Sequence, residues 1–249
     1  MNKARPIETT GKLDILQQLK SDILGLEGFK PASGQPIDLK LGLIAQAFPQ
    51  HTFPTAALHE FLITSLEEAS ATGGFVAGLS GALMQGGGAA VWIGPERKIF
   101  PPALKQFGID PERILFIQLK KEKEILWALE ETLKCPALSI VIGELPALDF
   151  TTSRRLQLAV EHSKATGFIL RHASRPPQTN SCVARWEISA LPSEPQEGLP
   201  GIEFPRWRVE LLKIRNGRPG AWTVQWTSSG FQVETQQSIS LEERQSKTA

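Results

Sequence analysis

The sequence predicts an α/β protein: a mainly parallel central sheet flanked by helices, extended by C-terminal antiparallel strands, with an N-terminal helix on a linker. Two patterns carry this. Between Leu58 and His172 the apolar runs LHEFLI, AAVWIG, ILFIQL, LSIVIGE and TGFILRH alternate with helical stretches around 66–85, 100–107, 122–134 and 151–164. Buried strands joined by helical crossovers make a parallel sheet covered on both faces. Beyond Arg175 strand follows strand, and the Asn216-Gly217 step inside NGRPG is a hairpin signal.

Taken in order, the chain opens with the amphipathic segment KLDILQQLKSDILGLEG, whose Leu13, Leu16, Leu19 or Lys20, Ile23 and Leu26 recur at helical spacing before a glycine stop. A stretch punctuated by proline and glycine follows and reads mostly as linker, so residues 1–55 form a helix and tether able to dock on this chain or on a neighbour. Residues 56–175 hold the five alternating strands. Residues 176–236 extend the same sheet through VARWEISAL, WRVELLKIR, WTVQWTS and FQVET, and 237–249 read as a disordered tail. Trp207, Val209 and Leu211 share one strand face, as do Trp222, Val224 and Trp226. Large aromatics at such spacing serve as core, the other reading being a base-stacking platform.

Charge is nearly balanced at +1, so the molecule as a whole is no obvious polyanion binder. The balance hides an asymmetry, since residues 151–220 carry 11 Lys+Arg against six glutamates and no aspartate. That surplus suits an acidic partner or a nucleic-acid backbone, or is a solvated face. Cys135 and Cys182 stand far apart in sequence and imply neither a zinc site nor a disulfide framework. With no apolar run of signal-peptide or membrane-spanning kind, the expectation is a cytoplasmic protein without membrane contact.

A strand, a turn, a helix and a strand between Leu58 and Gly94 are how a nucleotide-binding domain usually opens, yet the phosphate loop is missing. Such a loop needs glycine amides to wrap phosphate, a lysine for the outer phosphates and a hydroxyl for magnesium. From Phe61 to Phe75 there is no lysine or arginine, the only glycines are Gly73 and Gly74, and Glu67 and Glu68 occupy the turn. Ser65 with Glu68 three residues on is a capping-box pattern, in which the serine accepts from a first-turn amide and the glutamate reaches back to the cap's own amide. The helix N-terminus is then filled by the protein's own charge. The alternative is a helix that begins nearer Ser70 and leaves a weaker site.

Several blocks together resemble the RecA core, and more closely the ImuA family, RecA-like accessory proteins of bacterial mutagenic repair. They are HEFL, SLEEASATGGFVAGL, CPALSIVIGEL, LDFTTSRRLQLAVE, TGFILRH and, most specifically, PRWRVELLKIRNGRPGAWTVQW; the likeness runs from about residue 56 to 228. It implies a RecA-like core from which the ATPase parts are lost. Thr72 falls where the RecA loop has lysine and Gly73 where it has the magnesium hydroxyl. Gly143 and Glu144 replace the aspartate and serine that end the fourth strand. Glu96, in WIGPERK, lies where RecA places its water-activating glutamate, and without lysine or metal it is a relic or a surface acid.

The resemblance implies a non-catalytic protein with no cofactor and no metal, active in SOS-induced translesion synthesis. Its implied partners are RecA and the inactive Y-family-like polymerase ImuB, with an error-prone DnaE-type polymerase engaged indirectly and DNA bound weakly or through partners. Arg206, Arg208, Lys213, Arg215 and Arg218 are the candidate partner contacts, with the helix Lys12 to Leu26 as a second surface. The bland reading of those cations is a solvated strand edge kept from aggregating. Two other functions stay open: an ATPase with a degenerate loop in which Glu96 and Glu144 retain their roles, and a division inhibitor similar to SulA.

Overall fold

The computed structural model describes residues 39–97, 99–172, 178–193 and 204–234. The amphipathic segment 12–26 and the tail 237–249 lie outside the described residues. Among the described residues nine strands form one sheet: β1 (Leu58–Ile63), β2 (Ala89–Gly94), β3 (Ile114–Gln118), β4 (Leu138–Leu145), β5 (Thr166–His172), β6 (Ala184–Leu191), β7 (Arg206–Ile214), β8 (Gly220–Thr227) and β9 (Gly230–Val233), in the order β3-β2-β4-β5-β1-β6-β7-β8-β9. Among the described residues three α-helices pack on it: α1 (Leu66–Leu83), α2 (Glu122–Leu133) and α3 (Phe150–Ser163).

The five apolar runs of the sequence are β1 to β5; the continuous apolar character of β1, β2, β4 and β5 follows from burial on both faces, while the edge strand β3 leaves Leu115 exposed. The parallel part is one strand larger than expected, because β6 pairs parallel with β1 before the antiparallel β6-β7-β8-β9 ladder begins. Alternating burial along β6, from Ala184 to Leu191, gives no sign of its neighbour's direction. The change of pairing thus falls after β6 rather than at residues 175 and 176. The stretch around 100–107 is helical, but as a 3-10 helix at Pro101–Phe107 that ends on the left-handed Gly108.

The two faces of the sheet are covered differently. On one face α2 and α3 bury Leu58, Val141 and Ile169 under Leu129, Leu133 and Val160; α3 covers the sheet as far as β1, and its Ser153 Oγ accepts from the Ser181 amide ahead of β6. The other face carries the larger core, in which Trp186, Ile188, Trp207, Val209, Leu211 and Val224 pack beneath α1. The tryptophans of the C-terminal strands are core, Trp186 and Trp207 fully and Trp222 and Trp226 in part.

The supposed linker is also built in from Leu39 onward. Leu39, Leu41, Ile44, Ala47, Phe48 and Phe53 are all buried, and the backbone amide of Arg218 donates to Ala47 O at 2.9 Å. Phe53 stacks on His59 with ring centroids 4.5 Å apart, and Phe48 meets Trp186. These apolar positions follow neither helical nor strand spacing, since prolines and glycines bend the segment as it crosses the core.

The glycines of α1 are used for packing. A Cβ on Gly78 would meet the rings of Phe231 at 2.6 Å and Trp226 at 2.8 Å, and one on Gly81 would stand 1.8 Å from the Phe107 carbonyl oxygen. Gly78 and Gly81 therefore let α1 lie directly on the C-terminal aromatics and the 3-10 helix, which is why a nucleotide-like glycine content occurs here without a phosphate loop.

Candidate functional site

In open α/β sheets ligands bind in the crevice outside the carboxyl ends of the strands. That crevice is formed here at the ends of β1, β2, β4 and β5. At its corner β1 ends at Ile63 and α1 starts at Leu66, leaving Thr64 and Ser65 as the whole connection. Two residues cannot wrap a phosphate chain with backbone amides. Ser65 Oγ accepts from the Glu68 amide at 3.1 Å, so the helix starts where the cap pattern puts it, not near Ser70. The Glu68 carboxylate goes one residue further back than a capping box requires. It accepts from the Thr64 amide at 2.8 Å and from the Thr64 hydroxyl at 2.5 Å, two donors on one residue.

Glu67 is exposed beside it. Thr72 lies in the second turn of α1, fully buried, and its hydroxyl has no hydrogen-bond partner among the described residues. Neither Thr72 nor Gly73 belongs to a loop. Gly73 borders the crevice with open space where a side chain would stand.

The crevice is an apolar groove of about 630 Å³. Its floor is Ile63, Trp92 and Leu170 from the strand ends, and its walls are the Gly73 and Ala77 stripe of α1, Phe107 and Trp207. One acid is set into this surface. Glu144 has 7% of its side chain exposed; its Oε1 accepts from Trp92 Nε1 at 2.9 Å. Its Oε2 has no hydrogen-bond partner, with His172 Nε2 at 3.4 Å. Glu96 lies outside the groove, exposed in the loop after β2, so the structure does not bring the two relic acids into one site. Among the described residues no group of three or more His, Cys, Asp and Glu stands together as a metal site.

The five C-terminal cations divide into two sets. Arg206 is held by Glu234 through two bonds of 2.8 Å. Lys213 Nζ donates to Asn180 O at 3.0 Å and Arg215 to Ser181 O at 3.2 Å, which ties β7 to residues 178–183. Burial lowers the Lys213 pKa, followed by the like charge of Arg185. The same strap is held from inside, since Glu60, 1% exposed, accepts from Arg171 at 2.7 Å, Asn180 at 2.8 Å and Arg185 at 2.5 Å.

Arg208 and Arg218 remain exposed. Arg208 stands on the outer face of β7 beside Glu210, on the side of the sheet that α2 and α3 leave uncovered. Sequence reasoning missed the groove's Trp92 and His172 and the buried Glu60 cluster. A glutamate inside a mostly apolar first strand was the available signal for the last.

No family model matches the chain. It is 33% identical over 195 residues to Protein ImuA of Caulobacter vibrioides, an alignment covering 74% of this chain and 80% of that protein.

The chain belongs to the ImuA family.

Weaker likeness extends from this ImuA-family chain to cell division inhibitors. SulA of Photorhabdus laumondii is 27% identical over 103 residues, 41% of this chain and 58% of that protein. The crystal structure of SulA from Pseudomonas aeruginosa superposes on 47% of this chain and 98% of its own, with 23% identity and a TM-score of 0.40. Among the described residues of this ImuA-family protein no helix is long and apolar enough to cross a membrane.

Proposed function

We propose that this chain is a non-catalytic, RecA-like accessory factor of SOS-induced, error-prone DNA repair. It acts in the cytoplasm by binding RecA and an ImuB-like inactive polymerase, and through them an error-prone DnaE-type polymerase. Membership of the ImuA family supports the pathway. The observation that carries the non-catalytic reading is the two-residue, self-capped corner between β1 and α1, where a nucleotide's phosphates would need a loop of free amides. What the chain offers instead is surface: an apolar groove, and an open polar sheet face bearing Arg208. DNA contact is weak or indirect on this reading.

The test is capture of purified RecA and of the inactive polymerase by the purified full chain. Saturable capture of either, unchanged by magnesium ATP, is the expected result. Failure to capture both overturns the partner assignment. The SulA likeness supports a division inhibitor as the second reading. Expression in a bacterial host would then give filamentous cells, whereas an accessory factor leaves septation intact.

A further inference from the structure

We propose that this chain forms a symmetric dimer in which the edge strand β3 pairs antiparallel with β3 of a second copy, Phe116 opposite Phe116, so that two sheets become one. The pairing requires none of the repair partners.

β3 ends the sheet, and among the described residues no strand lies beyond it. The direction of its backbone groups follows from one bond. The Leu119 amide donates to Gly94 O of β2 at 3.0 Å, and alternate residues of a strand turn their backbone groups the same way. Those of Leu115 and Ile117 therefore point inward to β2, and those of Ile114, Phe116 and Gln118 point to the open side.

Such a row of unpaired backbone groups is a template for another strand, and proteins blunt it with charge, proline or a covering segment. Among the described residues β3 has none of these. ILFIQ contains no charge and no proline, and Leu115 stands 60% exposed on the same face as the packed Ile117. Arg113, just ahead of the strand, is turned away: its Nε donates to Gly88 O and its Nη2 to Met84 O, both at 3.0 Å. The opposite edge is treated differently. There the segment from Lys40 to Ala47 lies against β9, with Lys40 Nζ donating to Ser229 O at 3.4 Å and Gly42 facing Val233.

The edge of β3 is complementary to a copy of itself. With Phe116 on the two-fold axis, Ile114 lies opposite Gln118 and Leu115 opposite Ile117. Every outward residue then exchanges both backbone bonds with the residue facing it, as the hydrogen-bonded pairs of an antiparallel ladder do. A register centred on Leu115 or Ile117 leaves one outward residue without a facing residue in the strand. Leu115 gains the copy's Ile117 as a cross-strand neighbour on its exposed face. Beyond the strand ends the same symmetry brings Glu112 towards Lys120 of the copy, and Lys120 towards the copy's Glu112. Both side chains are exposed in the single chain. A contact of this isologous kind closes at two chains.

Sedimentation of the full-length protein tests the proposal. The mass should rise with concentration from 27.3 kDa to twice that value. Leu115→Lys, which sets a charge on an exposed position of the edge, should raise the dimer dissociation constant about tenfold or more and leave the far-ultraviolet dichroism unchanged. Glu112→Lys and Lys120→Glu each place like charges opposite one another at both ends, and each should weaken self-association several-fold at low salt. Mixed in equal amounts, these two single variants should associate as the wild type does, because each then meets the opposite charge at both ends.

A monomer at every concentration overturns the proposal. Self-association unmoved by Leu115→Lys and by both charge variants puts the contact on another surface and overturns it as well. Charge variants that associate weakly alone and do not recover on mixing overturn antiparallel pairing about Phe116. Protein that stays monomeric alone but captures RecA or the inactive polymerase, and loses that capture with Leu115→Lys, gives the edge to a partner, with the same consequence.

Discussion

At the scale of single residues, His59 links the core to solution pH. Its ring is stacked between Phe53 and the core, donates Nε2–H to Pro54 O at 2.7 Å and accepts at Nδ1 from Trp186 Nε1 at 3.3 Å. Both nitrogens are used only if the ring is neutral, and burial lowers its pKa from 6.5 to about 4, against the smaller opposing effect of the Pro54 hydrogen bond. Above pH 6.5 neither the folded nor the unfolded ring is charged. As pH falls from 6.5 towards 4 the unfolded chain takes up a proton that the native ring refuses, so stability drops across that window by ~3 kcal/mol. Denaturant midpoints measured against pH should therefore fall more steeply for the wild type than for His59→Gln, which has no titration there; parallel curves would contradict this. The glycines of α1 give a second contrast. Gly73→Ala meets open space on a helix and should stabilise by ~0.5–1 kcal/mol. Gly81→Ala runs into the Phe107 carbonyl and should destabilise by ~1–3 kcal/mol. Thermal midpoints that move the same way in both variants would refute the packing role of Gly81.

At the scale of elements, the C-terminal block is both a strut and a surface. Lys213 and Arg215 hold residues 178–183 against β7, while Arg208 and Arg218 point outward. Exposed charges contribute only ~0.2–1 kcal/mol each in a pair, so combined substitutions are needed. Arg208→Ala with Arg218→Ala should leave the melting temperature within a few degrees yet weaken capture of RecA or the inactive polymerase. Lys213→Ala with Arg215→Ala should lower the melting temperature, because two strap carbonyls lose their donors. Normal capture by the first double variant moves the interface off this face. The elements that sequence reasoning reached are those with local signals: β1 to β5 by their apolar runs, the α1 cap by Ser65 and Glu68, and the β7–β8 hairpin by Asn216-Gly217. What it missed depends on distant residues. The partners of Glu60 are 111 to 125 positions away, and β6 reveals its parallel neighbour only once β1 lies beside it. The segment from Leu39 to Ala57 buries apolar side chains without any period that a pattern could detect.

At the scale of the whole molecule, the sheet keeps the crevice in which an α/β protein would seat a nucleotide and lines it mainly with apolar side chains. The corner that would carry phosphate is two residues long and capped by Ser65 and Glu68. Glu144 turns to Trp92 and His172 rather than to a metal-bound phosphate, and Glu96 lies outside the groove. The loss of the lysine was legible in the sequence. The groove was not, because its walls come from α1, four strand ends, the 3-10 helix and β7, and no local motif joins them. On the proposed function this crevice binds no nucleotide. Calorimetric titration of the full-length chain with magnesium ATP tests it most directly. No saturable heat up to millimolar nucleotide is the expected result, and saturable binding in the micromolar range would contradict it.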